Sequence, residues 1–493
     1  MGSTFHGLEL GKRSLFAQQA ALSTTGHNIS NANSKGFTRQ RVELEASHSI
    51  SYPGMNNDRS PRQLGTGVQP SEIIRMREDY LDQQFRTENK TLGYWQTTSD
   101  IYAKLEGMIN EPSDSGLQSL MDQFWQGWQD LAKNPESLEA RAVVRERAIT
   151  LADGFKHVTD SLDQLDNDLA NVMQTKVSEI NSIAVQINDL NSQIKQLVPH
   201  GHNPNDLYDK RDLLIDQLSK LVNVEVKPAE HGMVEVLVRG QTLVSPTEVV
   251  PMAYDSGTNE LSLGGTELAL TSGELLAVMN GRGQIDENGQ ATGIITNMRQ
   301  QIELHAMSFV RELNGVHQAG YTTDDIQAYK ADPNATPASL LFFVDANDPS
   351  DPPGPPKSAN SIAVNPLILE SLNRIAASSK PNEGDGLNAQ KIAAKKFETI
   401  SIGGQNSTLD DFFRYTIAQL GVRSQESLRM SENSEVLVGQ IDNQRQSVSG
   451  VSLDEEMTNM MKYQQAYNAA ARFVTAIDEI LDKVVNGMGR VGL

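Results

Sequence analysis

SLDEEMTNMMKYQQAYNAAARFVTAIDEILDKVV, residues 452–485, places Leu453, Met460, Tyr467, Val474 and Leu481 seven apart. Tyr463, Ala470, Ile477 and Val484 follow at three-residue offsets, so one side of a helix carries a sustained apolar seam. Ser452 and Glu455 have the spacing of a capping box, and Gly487 marks the expected stop. At the other end of the chain Leu8, Leu15, Leu22 and Ile29 recur with the same period, and Phe5 sits one turn before Leu8. The positions between those layers are Gly11, Gln18 and Thr25, so this second seam is thin and needs a partner. Two seams at opposite ends of the chain predict that the termini lie together.

Between the ends, residues 72–222 read as almost wholly helical. Trp125 and Trp128 share a face with Phe124 and Leu131, a core pattern rather than a ligand box. A run through Leu162, Leu165, Leu169 and Val172 slips near Lys176 and resumes as Ile180, Ile183, Ile187, Leu190, Ile194 and Leu197, which predicts a long rod with a stutter. VPHGHNPND at 198–206 turns the chain, and residues 207–221 return as an antiparallel neighbour. Short β-branched runs punctuated by Gly and Pro then predict strands over 223–270. Helical pattern resumes over 273–316. Seven of the nineteen prolines fall between Pro333 and Pro356, so 321–360 reads as an acidic exposed loop.

The expected fold class is therefore mainly α with an inserted β-rich domain. Its expected parts are a terminal coiled-coil unit (1–48 with 452–493), a helical rod (49–222 with 361–451) and an outer insertion (223–360).

Length agrees with several domains, since 493 residues exceed the ~250–300 that one hydrophobic core usually serves. The net charge of −21 argues against nucleic acid or an anionic membrane surface as a partner. With no cysteine there is no disulfide, thiolate metal site or cysteine nucleophile. The N-terminus lacks the apolar core of a cleaved secretory signal, no run approaches ~18 apolar residues, and His6 spoils a myristoylation motif at Gly2. Gly487, Gly489 and Gly492 spell a dinucleotide fingerprint, but a helix precedes them where a strand is required. One alternative from another class stands: a metal-dependent hydrolase centred on His200, His202 and Asp206, with Asp209 and Asp212 nearby. Against it, those carboxylates suit the first turns of a helix, where its dipole favours negative charge. No cofactor motif is present.

LSTTGHNISNANSKGFTRQRV, residues 22–42, is poor helix-forming material: Asn28, Asn31 and Asn33 favour caps and turns, and Gly36 permits a sharp exit before Phe37. This stretch resembles the N-terminal signature of bacterial flagellar axial proteins. With STFHGLE at 3–9, EPSDSGLQSLMDQFWQGWQDLAKNP at 111–135, NPNDLYDKRDLL at 203–214 and the C-terminal seam, the chain resembles the hook-associated protein 1 (FlgK) family. The likeness covers the helical parts and fades in the β-rich middle and in 321–360. Ser34-Lys35-Gly36-Phe37 departs from the Thr-Pro-Gly-Tyr common in related proteins. The resemblance implies a non-enzymatic adaptor between hook and filament in the extracellular flagellum, exported through the type III apparatus without signal cleavage. Implied partners are further copies of itself in a helical array, the hook protein, the second hook-associated protein and an export chaperone. Another axial protein, such as a hook subunit, is the nearest alternative. The expected assembly interface is Phe5, Leu8, Leu15, Leu22, Ile29, Leu453, Met460, Tyr463, Tyr467, Val474, Ile477, Leu481 and Val484. The signature residues are Asn28, Asn31, Asn33, Gly36, Phe37 and Arg39.

Overall fold

The computed structural model describes residues 5–51, 63–114, 116–285, 290–350 and 353–487. Twelve α-helices among them carry the architecture, which is mainly α with several small antiparallel sheets. In chain order they are α1 (His6–Asn31), α2 (Asp79–Ile109), α3 (Leu117–Lys133), α4 (Leu138–Leu197), α5 (Asn205–Leu221), α6 (Glu274–Arg282), α7 (Ile294–Gln318), α8 (Thr323–Ala331), α9 (Pro366–Glu370), α10 (Leu387–Ala394), α11 (Leu409–Ser449) and α12 (Leu453–Asp482).

The two terminal helices pack on one another in antiparallel fashion. Gly7 lies against Ile477, Gly11 against Val474 and Phe473, and Asn28 reaches Glu456. Small residues make the approach possible: a Cβ on Gly11 would stand 2.5 Å from Val474 Cγ2. The two helices that carry the predicted heptads therefore lie side by side within the same chain. Ser452 caps the backbone N–H of Glu455, but the Glu455 carboxylate turns away to Arg39, so only half of the expected capping box forms. Beyond Asp482 a π-turn runs to Gly487, and Gly489 and Gly492 lie outside the described residues.

Residues 72–75 depart from the helical expectation. Val68–Arg75 is a strand paired antiparallel with Gln40–Ala46, from Gln40↔Arg75 to Ala46↔Val68. The β-branched Val68, Ile73 and Ile74, with Pro70 between them, suit an edge ribbon better than a helix face. A division at residue 48 cuts between the two strands of this ribbon.

α4 is 60 residues long and buries Leu162, Leu165, Leu169, Met173, Val177, Ile180, Ile183 and Ile187 without a gap. Met173 and Val177 bridge the apparent slip near Lys176 by consecutive four-residue steps, so the helix continues through it. α5 returns beside α4 after a short turn in which Gly201 adopts φ +77°. α11 runs antiparallel along α2, with Ser424 bonded to Glu106 at one end and Arg445 paired to Asp82 at the other. Its buried positions Phe413, Leu420, Ser427, Ser434 and Ile441 recur every seven residues.

Strands over 224–267 form two three-stranded antiparallel sheets, as the β-branched runs predict. The segment 321–360 is not an exposed loop. Thr322 and Asp325 form a capping box on α8, and Phe343–Asp345 pairs with Ile362–Val364. The reason is the run Leu340-Leu341-Phe342-Phe343-Val344, which outweighs the surrounding prolines by burying two rings. Phe342 and Phe343 join Phe124, Trp128 and Phe309 in one aromatic cluster. The core is thus continuous from α2 through the 342–364 ribbon to α11, so α7 and the 342–364 segment pack into the helical body.

Candidate functional site: the junction of the terminal helices with the body

α1 ends where its sequence stops favouring helix. Asn31 bonds back to the carbonyl of His27, Ser34 to Asn31, and Gly36 takes φ +82° with its face against Leu213 of α5. The chain then passes directly into the ribbon at Gln40.

Asn28, 1% exposed, is the centre of this junction. Its Nδ2 donates to the carbonyl of Gln40 and to Glu456 Oε2, while its Oδ1 accepts from the N–H of Gln40. One amide therefore satisfies two backbone groups of the ribbon and a buried carboxylate of α12, a geometry that no apolar residue reproduces. Arg39 completes it. Its Nε donates to Glu456 Oε1 at 2.8 Å, its Nη1 to Glu455 Oε2 at 2.7 Å and its N–H to the carbonyl of Ser449, while its own carbonyl accepts from Met76. The C-terminal end of α1 and the N-terminal end of α12 are clamped at one point.

The junction is fastened to the body by carboxylates of α5. Asp206 accepts from Gln40 and meets His27, and Asp209 accepts from the N–H of Thr38. Arg75 donates to Asp209 and Asp212, Arg77 to Asp82, and Arg86 to Asp216. Arg445 of α11 lies over the Phe85 ring, close to Asp82 and within 2.9 Å of Asp216, though it is misaligned for a hydrogen bond to the latter. Four arginines and four aspartates thus join α2, α5, α11 and the ribbon. Burial works to raise Asp212, but Arg77, Arg75 and Arg86 outweigh it and hold the carboxyl below its ordinary value. At Asp209 burial prevails over Thr38 and Arg75 and the carboxyl is pushed up. Burial opposes the charge of Arg77, yet Asp212 and Asp82 hold it above its usual value.

This network answers the metal alternative. Asp209 and Asp212 face arginines, Asp206 faces His27 and Gln40, and His200 and His202 sit exposed at the α4–α5 turn. Among the described residues no group of three or more potential ligands is placed to hold a metal ion.

Of the signature residues, Asn28, Asn31 and Arg39 make the contacts above, and Phe37 packs edge-on against His27 at 5.3 Å. Asn33 is exposed in the turn. Of the seam residues, Leu8, Leu15, Leu22, Ile29, Met460, Tyr463, Val474, Ile477 and Leu481 are half-buried; Phe5, Leu453, Tyr467 and Val484 are exposed. The fully buried positions of α1 are instead the small and polar Gly11, Ala17, Ala21, Thr24, Thr25 and Asn28. Sequence reasoning missed Glu456 and the arginine–aspartate network. A signal existed: Asp209, Asp212 and Asp216 recur at helical spacing on the face of α5 where apolar residues belong.

No helix among the described residues is long and apolar enough to cross a membrane. Residues 102–329 match the model of the flagellar hook-associated protein FlgK helical domain, and 438–487 that of the flagellar basal body rod FlgEFG protein C-terminal region. Flagellar hook-associated protein 1 of Bacillus subtilis (strain 168) is 37% identical over 516 residues, covering 99% of both chains. The Escherichia coli (strain K12) protein of the same name is 26% identical, covering 96% of this chain and 98% of its own. The solved flagellar hook junction protein FlgK from Burkholderia pseudomallei superposes with a TM-score of 0.58 at 17% identity, over 76% of this chain and all of its own.

Proposed function

The chain belongs to the flagellar hook-associated protein 1 family and is a structural protein of the hook–filament junction; on that premise we propose that its paired terminal helices are the assembly element through which subunits build the junction. The observation that carries this is the apolar surface left after α1 and α12 have packed together. Leu8, Leu15, Leu22 and Ile29 remain half-covered, while Phe16 on α1 and Leu453, Met457, Met461, Phe473 and Ile480 on α12 are exposed. Large apolar side chains left exposed along both helices are stabilised by contact with a neighbour rather than with water. Neighbours related head to tail extend an open helical layer, which leaves different ends for different proteins.

In this reading the terminal unit, drawn from 1–48 and 452–493 and extended through the ribbon strand at 68–75, forms the inner layer. The helical body surrounds it, and the sheets over 224–267 face outward. The subunit supports no reaction; its work is mechanical continuity. Association with flagellar components and with itself follows from the family, and we assign the two ends to the hook protein and the second hook-associated protein. Secretion is assigned to the type III export apparatus, with the amphipathic 453–484 segment as the seat of an export chaperone. Deleting 452–493 is expected to abolish chaperone capture.

The test of assembly is Leu15→Asp or Val474→Asp. Each places a charge in a seam meant to be dry. Both are expected to fail to incorporate into flagella while circular dichroism and melting of the body stay near wild type. Incorporation at the normal level would overturn the assignment.

A further inference from the structure

We propose that the chamber between α2, α7 and α11, on the body and away from the terminal junction, binds a short neutral oligosaccharide. The cavity holds about 530 Å³, within the ~300–1,000 Å³ usual for small-molecule sites. α2 supplies three rings to it within nine residues, Tyr94, Trp95 and Tyr102. Tyr94 and Trp95 meet nearly at right angles, 5.1 Å between centroids and 83° between planes. Trp95 is only half-buried, whereas Trp125 and Trp128 are 3% and 0% exposed, so it lines a solvent-filled space rather than the core.

The same lining carries side-chain amides, Asn297 and Gln301 from α7 and Gln419 from α11, together with Arg423 and Glu426, which pair with each other at 3.5 Å. Each amide both donates and accepts. A sugar ring presents an apolar C–H face to an aromatic surface and a rim of hydroxyls that also donate and accept, so the two linings match its two chemistries. An anionic ligand finds Arg423 offset by Glu426. An apolar ligand covers the Gln301 amide without offering it a hydrogen bond, at a cost in desolvation. Burial raises the Tyr102 hydroxyl above its ordinary value against the opposing influence of Arg423, which keeps it protonated and able to donate.

Trp95 makes the test selective, because an external quencher reaches it and not the two buried tryptophans. Acrylamide quenching of the full chain is followed while maltotriose or chitotriose is titrated to about 20 mM, the range in which weak sites saturate. The expected result is saturable protection by at least one of the two, with half-saturation raised about tenfold in Gln301→Ala and Gln419→Ala and no change in melting temperature. Saturation-transfer NMR on Trp95→Ala is expected to lose the sugar signal. Failure of both sugars to protect, protection that survives both glutamine variants, or protection by a proline-rich peptide in place of sugar would each overturn the proposal.

Discussion

Gly11 shows how a single hydrogen atom sets the distance between two helices. Alanine there would gain ~1 kcal/mol of helix propensity, but its methyl would meet Val474 Cγ2 at 2.5 Å, and overpacking costs ~1–3 kcal/mol. The clash is expected to win: in the assembled polymer, where 453–482 is protected, Gly11→Ala should accelerate amide exchange there, and Val474→Ala in the same chain should restore protection. A second prediction concerns His305 and His317, both fully buried, where desolvation lowers each imidazole to about 4 despite hydrogen bonds to the carbonyls of Leu409 and Leu340. Below the unfolded value of ~6.5 the unfolded chain takes up protons that the folded chain refuses. Stability is therefore full above ~6.5 and falls as pH drops toward 4. The urea midpoint is expected to decrease from pH 7 to pH 5, and to decrease less in His305→Phe.

The elements differ sharply in what they bury. α4 buries nineteen residues along its length, whereas α12 buries only Glu456 and Ala470. Few buried apolar contacts mean a low free energy of local opening. Hydrogen exchange on the isolated subunit is expected to be fast over 6–31 and 453–482, slow over 138–197, and slowed at the ends on polymerisation. Equal protection of α12 and α4 in the monomer would mean that the terminal pair is complete without neighbours. The periodicity of both seams is plain in the sequence, because heptad spacing is a local property. That Gly7 and Gly11 are what meets Ile477 and Val474 of α12 is not, because it depends on the facing surface.

On the scale of the whole molecule, the terminal pair and the body are joined by charges in place of a continuous apolar core. Asp212 pairs with Arg75 and Arg77 and lies 3.7 Å from Arg86. Removing one partner from such a buried network costs ~3–5 kcal/mol because the remaining charges are left uncompensated. Asp212→Ala is expected to lower the melting temperature and to free the 38–40 amides for exchange, while the aromatic cluster around Phe124 keeps its near-ultraviolet circular dichroism below the transition. An unchanged melting temperature would mean that water replaces the carboxylate fully.

Sequence alone determined the helical class, the helices at both ends, the turn at 198–206, the sheets after residue 222 and the family, since each rests on spacing or on a local motif. The tertiary structure alone decided which residues meet across hundreds of positions. Asn28 and Glu456 are 428 residues apart, Arg445 reaches Asp82 and Asp216, and Phe342 and Phe343 draw a proline-rich segment into the core. The physical reason is that periodicity reports only that a face is buried. A buried polar residue breaks that pattern and reads as surface until its partner, supplied by a distant part of the chain, shows how its charge or hydrogen bonds are satisfied.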